Sequence, residues 1–360
     1  MSGPELLPPR KNPLLLGHEG AERELIAAFS SGRAPHAWIF AGPRGIGKAT
    51  LAFRLARWLL SGGADQNGGG LFGPAALPES LAVPETSPVF QRVASGGHAD
   101  LLSVQRELND RGELKKEIAV DDVRRIEPFL RLTAAEGGWR AVVLDEADFV
   151  NRSSANALLK ILEEPPPRAV LMLICENPGA LLPTIRSRCR TLRLAPLGDV
   201  TMRELLRRAA PDLNGADLAD LLALAQGSIG RAIDLIAAEG LSLHRQVKNL
   251  LGRVPGLSPG DALAAGEALG RPGSDTAYRV FTSLLLDELA GLAKQRARDR
   301  THTNGVLATL DAPALLELWA DLQQRFREAD WGNLDKRQVI LTALLALDDA
   351  AAGKPLRSSA

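Results

Sequence analysis

Two carboxylates and a lysine are the residues whose types and spacing suggest chemistry. Asp145-Glu146 follows the apolar run Ala141-Val142-Val143-Leu144, the pattern of a buried strand that delivers acidic side chains to the carboxyl edge of a parallel sheet. There Asp145 could hold the water shell of a magnesium ion and Glu146 could orient an attacking water, the roles phosphoryl transfer asks of paired carboxylates. An isolated Asp-Glu pair is more often a solvated turn that starts a helix. A glycine loop upstream changes that balance. Gly42-Pro43-Arg44-Gly45-Ile46-Gly47-Lys48 fits G-x-x-x-x-G-K, preceded by the apolar run Ala37-Trp38-Ile39-Phe40-Ala41 and followed by a helical pattern with Leu51, Leu55, Trp58 and Leu59 on one face. Strand, glycine loop and helix in this order form a phosphate cradle: free backbone N–H groups and a helix N-terminus face the phosphates, and the lysine neutralises them.

The residue after the lysine is Ala49, where a hydroxyl normally binds magnesium directly. Thr50 does not replace it, because one helical step turns a side chain by about 100°. The loop keeps what ATP or ADP binding needs and lacks what metal-assisted hydrolysis needs. The sequence therefore argues against a magnesium site and for weak or absent hydrolysis.

The elements that must position these groups are legible from periodicity. After Asp145-Glu146, Ala155, Leu158, Leu159 and Leu162 recur at helical spacing, and Pro165-Pro166-Pro167 stops that helix near Glu164. A second buried strand covers 170–174, and the basic segment Thr184-Ile185-Arg186-Ser187-Arg188-Cys189 lies directly beyond it. Upstream, a first helix carries Ala21, Leu25, Ala28 and Phe29 and ends at Ser30-Ser31-Gly32. Glycines and prolines crowd 61–97, which reads as an insertion loop with little regular structure. A strand at 100–104, a helix from Val120 toward Leu132 and a final strand at 191–194 complete a parallel α/β domain over 14–196. Three short helices follow between 201 and 238, in a small lid over 197–240 where Ser228 can cap a helix bearing Arg231 in its first turn. Longer amphipathic helices at 241–250, 261–269, 276–298, 313–327 and 334–351 make an all-α domain over 241–352. Residues 1–13 read as a flexible leader and 353–360 as a frayed tail.

Composition narrows the class. At 360 residues the chain exceeds one ordinary core, and Lys+Arg equals Asp+Glu at 43 each, so no global basicity advertises nucleic acid. Any contact with DNA must be local or shared with partners. Two cysteines, Cys175 and Cys189, cannot build a disulfide framework and fit a reducing cytoplasm; nothing in the leader has signal-peptide or membrane character. Aromatic residues make up 4%, too few for the stacking platforms of single-strand binders.

Taken together, HAWIFAGPRGIGKATLAFRLARWLL, HADLLSV, VVLDEADFVNRSSANALLKILEEPP, LLPTIRSRC and QGSIGRAIDLI resemble the AAA+ clamp-loader family, over about two thirds of the chain up to Ile236. The resemblance implies an AAA+ P-loop sheet domain, a helical lid and a helical collar domain. It implies that Gly42, Gly45, Gly47, Lys48, Ala49, Thr50, Asn177 and Arg231 occupy nucleotide-binding positions, Asn177 near the polar sensing position and Arg231 as the lid's sensor. Asp145 and Glu146 take the metal and water positions, vestigial here, and Arg188 becomes an arginine finger offered in trans to a neighbour's site. It implies a noncatalytic subunit within the DNA polymerase III holoenzyme, a nucleotidyltransferase complex. Its partners would be gamma/tau-type ATPase subunits and a delta subunit, with the sliding clamp and primed DNA reached through the assembly and no membrane.

Plainer readings of the same residues stand beside these. Arg186, Arg188, Arg190 and Arg193 suit a solvated basic edge, and Arg231 an ordinary helix-surface charge. His36 and His98 have no metal-ligand spacing, and Cys189, with no histidine nearby in sequence, suits a small buried thiol. A self-sufficient AAA+ remodelling ATPase is the alternative to a loader subunit, with Ala49 against it; a regulatory nucleotide-binding protein would make the Ser187-Arg188-Cys189 segment accidental. Many relatives carry a four-cysteine zinc cluster in the insertion, whereas 61–97 contains no cysteine. Elemental analysis of tag-free protein is expected to find no stoichiometric zinc; a one-to-one zinc signal would contradict the reading.

Overall fold

The structure, a computed structural model, describes residues 7–65, 77–109, 114–136, 138–211, 213, 215–298, 307, 309–332 and 334–354. Contacts divide the chain into a sheet unit, Glu5–Pro211 with Gln226–Arg231, and a helical unit, Asp212–Ala225 with Ala232–Ala360. By contact, residues 197–211 and Gln226–Arg231 of the expected lid group with the sheet unit, and Asp212–Ala225 and 232–240 with the helical unit.

In chain order the sheet unit contains α1 (Glu19–Ser30), β1 (Ala37–Ala41), α2 (Lys48–Leu60), α3 (Pro88–Ser95), β2 (Leu101–Val104), α4 (Val120–Arg124), α5 (Ile126–Arg131), β3 (Arg140–Leu144), α6 (Arg152–Glu163), β4 (Ala169–Cys175), α7 (Pro183–Arg186), β5 (Arg190–Arg193) and α8 (Asp199–Ala209). All pairings are parallel, in the order β2-β3-β4-β1-β5. Every residue of β1, β3 and β4 is buried, which is why these strands read as unbroken apolar runs. Alternate residues serve opposite faces: Trp38, Phe40, Val143, Met172 and Ile174 pack toward α1 and α2, whereas Ile39, Val142, Leu144, Leu171 and Leu173 pack against α4 to α7. The edge strand β5 buries only Leu192 and exposes Arg190, Thr191 and Arg193, charges that discourage further strand pairing.

Two expectations change. The 61–97 stretch contains α3, whose Val89, Phe90 and Val93 are buried. Its proline and glycine are helix punctuation, with Pro88 in the first turn and Gly96 at φ 80° just past the end. Residues 7–13 are not a loose leader. The guanidinium of Arg57, 1% exposed, donates to the carbonyls of Arg10 and Asn12 at 3.0 and 2.8 Å, and Arg54 donates to that of Pro13. Arg57 also lies 4.6 Å from the centre of the Phe90 ring, and burial lowers its pKa to about 10. Two buried arginines on α2 thus supply donors to the carbonyls of a segment that lies outside any strand or helix.

The helical unit holds α9 (Gly215–Ala225), most of α10 (Ile229–Ala237), α11 (Gly240–Gly252), α12 (Pro259–Leu269), α13 (Asp275–Arg298), α14 (Ala312–Gly332) and α15 (Lys336–Ala351). The later helices lie close to their predicted ranges. Glycine lets α12 approach α15: a Cβ on Gly266 would sit 2.7 Å from the carbonyl oxygen of Arg337. No helix among the described residues is long and apolar enough to cross a membrane.

The ion pair between Arg54 Nε and Glu22 Oε1, 2.7 Å long with both side chains about 5% exposed, ties α2 to α1. Removing one partner strands a buried charge, which costs about 3–5 kcal/mol. Glu22→Ala is therefore expected to lower the unfolding free energy by about that amount in urea titration.

Candidate functional site

The carboxyl ends of three neighbouring strands converge. Ala41 of β1 is in register with Cys175 of β4, and Leu173 of β4 with Leu144 of β3, so Gly42 and Glu176 leave the sheet side by side and Asp145 leaves it two residues earlier, opposite Ile174. The Gly42 amide donates to the Cys175 carbonyl at 3.4 Å. A cavity of about 540 Å³ opens above them, lined on one side by Gly45, Gly47, Lys48, Ala49 and Thr50, on another by Asp145, Glu146, Asp148 and Glu176, and at its rim by leucines of the N-terminal strap. This is where open parallel sheets bind ligands.

The phosphate loop forms as its glycines require, with positive φ at Gly45 (75°) and Gly47 (108°). It is clasped by the residues that open α10. Gly230 N–H donates to Gly45 O at 3.0 Å and Ser228 Oγ donates to Arg44 O at 2.8 Å, while Ser228 Oγ accepts from the Arg231 amide at 3.1 Å. Ser228 caps the helix as predicted. A Cβ on Gly45 would lie 2.5 Å from Ser228 Oγ, so that glycine is required by close approach as well as by φ.

Lys48 is 7% exposed and its Nζ donates to the carbonyls of Gly42 and Pro43, both at 2.7 Å. Burial lowers its pKa, with Glu176 the strongest opposing charge and Asp145 the next. Burial raises the Asp145 carboxyl, against the Glu146 amide that donates to its Oδ1 at 2.8 Å. Glu146 sits at φ 54° and is gripped by Arg106, Nη2 to Oε1 at 2.6 Å and Nε to Oε2 at 2.9 Å. The same guanidinium stacks 3.7 Å from the centre of the Phe149 ring. A carboxylate held in a bidentate grip is poorly placed to orient water.

The structure brings Gly45, Gly47, Lys48, Ala49, Thr50, Asp145 and Glu146 to one cavity, while Gly42 supplies a carbonyl to Lys48. It does not bring Asn177 there: Asn177 Oδ1 accepts from the Gly179 amide at 2.9 Å and caps the next turn. Glu176 lines the cavity instead. Its amide and that of Asn177 each donate at 2.8 Å to the two oxygens of Asp148, a clamp that sets which residue faces inward. Arg231 does not line the cavity either, although Ile229 and Gly230 do. Arg106, Asp148, Glu176 and the strap escaped sequence reasoning. Asp148, three residues past Asp145, had a weak signal in its spacing; Arg106 had none.

Arg188 lies away from this cavity, at the end of α7. Its Nη1 donates to Thr184 O and its Nη2 to Glu163 Oε1, both at 3.0 Å, with the side chain 37% exposed. Arg190 pairs with Glu24 at 2.8 Å. Burial pushes the Cys175 and Cys189 thiols up to about 12, so neither is a ready nucleophile. Among the described residues no cluster of His, Cys, Asp and Glu is arranged to hold a metal ion.

Residues 17–198, just over half of the chain, match the family model described as "DNA polymerase III, delta subunit". The DNA polymerase III subunit delta' of Pseudomonas aeruginosa is 39% identical over 200 residues, 55% of this chain and 55% of that one. The subunit delta' of Escherichia coli is 28% identical over 81% of this chain and 78% of its own. A subunit gamma/tau of Mycobacterium tuberculosis is 32% identical over 54% of this chain and 30% of its own. The match thus spans only about half the length of the Pseudomonas relative. The chain belongs to the DNA polymerase III delta subunit family, and within it is similar to the delta' subunits.

Proposed function

We propose that this chain is a noncatalytic subunit of a DNA polymerase III clamp loader, working in the cytoplasm beside gamma/tau-type ATPase subunits and a delta subunit. It helps their ATP-driven opening of a sliding clamp and its placement on primed DNA. The observation that carries this reading is a phosphate site disabled at three points in a chain that also holds an arginine segment away from that site. Ala49 offers no hydroxyl to magnesium, Lys48 is spent on loop carbonyls, and Glu146 is held by Arg106. ATP or ADP would meet a loop whose geometry is kept and whose metal chemistry is missing. The residues do not fit a magnesium ion, so no step of the mechanism runs through one here.

What this chain contributes instead is Arg188. Its bond to Glu163 is an exposed ion pair, the kind worth about 0–1 kcal/mol, so the guanidinium is easily given up to a stronger anion. A neighbour's phosphates are such an anion, and arginine presents a fork that matches them. Guanidinium groups supplied across an interface stabilise transition-state charge and are worth about 10³–10⁵ in rate.

The isolated chain is expected to turn over ATP negligibly and to copurify with its ATPase and clamp-opening partners; vigorous magnesium-dependent turnover by the chain alone would favour a self-sufficient ATPase. Arg188→Ala, assembled with those partners, is expected to leave melting and assembly unchanged. DNA-stimulated ATP hydrolysis at the adjacent site and clamp loading should fall sharply. If both rates stay at the unmodified level, Arg188 is a surface charge.

A further inference from the structure

The cavity contains a carboxylate that neither the fold nor the arginine mechanism uses. Glu176 follows the last residue of β4, whose carbonyl accepts from the Gly42 amide, so it stands at the start of the phosphate loop. Both hydrogen bonds that locate it, its own amide and that of Asn177 to Asp148, are made by backbone. Its side chain is free of that duty and lines the open mouth of the cavity beside Arg44, Lys48, Asp145 and Asp148. Among the described residues it has no ion-pair partner.

The loop brings two cations to this place, Lys48 and Arg44, and a phosphate would need both. Glu176 lines the same cavity as both, with no direct ion pair to either, and its charge opposes the lowering of the Lys48 pKa that burial causes. Arg106 cannot compensate, since it is committed to Glu146. An incoming phosphate would therefore meet a like charge on an exposed side chain in the same cavity as the cations it needs.

We propose that Glu176 is an internal anion that takes the place of a nucleotide's phosphates in this cavity, making it select against phosphorylated ligands and sparing it the nucleotide cycle of its neighbours. The proposal rests on the reading of the cavity as a phosphate-loop site, and not on Arg188 or on assembly.

The test uses the full-length chain alone, with ADP, inorganic pyrophosphate and adenosine as probes in calorimetric titration. Glu176→Gln keeps size and hydrogen bonding and removes the charge; because only backbone groups of residue 176 are bonded, its melting temperature should match the unmodified protein. Glu176→Ala serves as a second variant should the amide find a new partner. Removing one like charge beside a bound phosphate is expected to raise affinity for ADP and pyrophosphate by about tenfold or more, with adenosine unchanged. Adding Lys48→Ala should abolish the gain. Equal ADP affinity in the unmodified protein and both variants, whether tight or undetectable, would overturn the proposal, as would an equal gain for adenosine. Loss of partner binding in a separate reconstitution would instead count against the loader reading, so the two can fail independently.

Discussion

The parallel pairing of β1 with β4 is the constraint on which the rest depends. It places Ala41 opposite Cys175 and brings the ends of β1, β3 and β4 to one edge. Both strands are buried on both faces, so a one-residue slip in register would exchange every side chain between two different cores and is excluded by packing. Trp38 and Phe40 fit only beside α1 and α2, and Ile39 only beside α4 to α7. The loop, the acidic pair and Glu176 inherit their positions from that pairing.

Charge in the cavity is nearly balanced by the chain itself. Asp145, Glu146, Asp148 and Glu176 line it with Arg44, Lys48 and Arg106; all have hydrogen-bonding or ion-pairing assignments except the exposed side chains of Arg44 and Glu176. In an active phosphate site much of that balance is completed by ligand phosphates and metal. Here Lys48 is bonded to the carbonyls of Gly42 and Pro43, and Glu146 to Arg106, so both have partners within the chain. The short helix α7, which ends two residues before Arg188, packs on the core of one sheet face through Ile185, fully buried.

The N-terminal segment over α2 is held by side chains of that helix. A chain segment rich in proline has few N–H donors of its own, and its carbonyls would go unsatisfied against an apolar helix. Arg54 and Arg57 answer those carbonyls from below. Glu22 in turn keeps the buried Arg54 charge from being orphaned. The rim of the cavity is therefore secured through α1 and α2, the helices that also cover one face of the sheet.

Local pattern determined a good deal. Unbroken apolar runs specified buried parallel strands, and the 3.6-residue period set the later helices close to their observed ranges. Gly42 to Lys48 was legible as a tight glycine loop because glycine tolerates the positive φ of its backbone, and Ala49 shows a methyl group where the pattern has a hydroxyl. Ser228 was legible as a cap since capping is a contact within four residues. Tertiary structure alone decided the rest. Arg106 reaches Glu146 across forty positions, and Asp148 turns Glu176 inward and Asn177 outward through bonds spanning nearly thirty. The buried arginines tie down residues 7–13 from more than forty positions away. Periodicity reports which face of an element is apolar; it carries no record of which distant side chain completes a hydrogen bond, and at this site those distant bonds decide which groups remain available to a ligand.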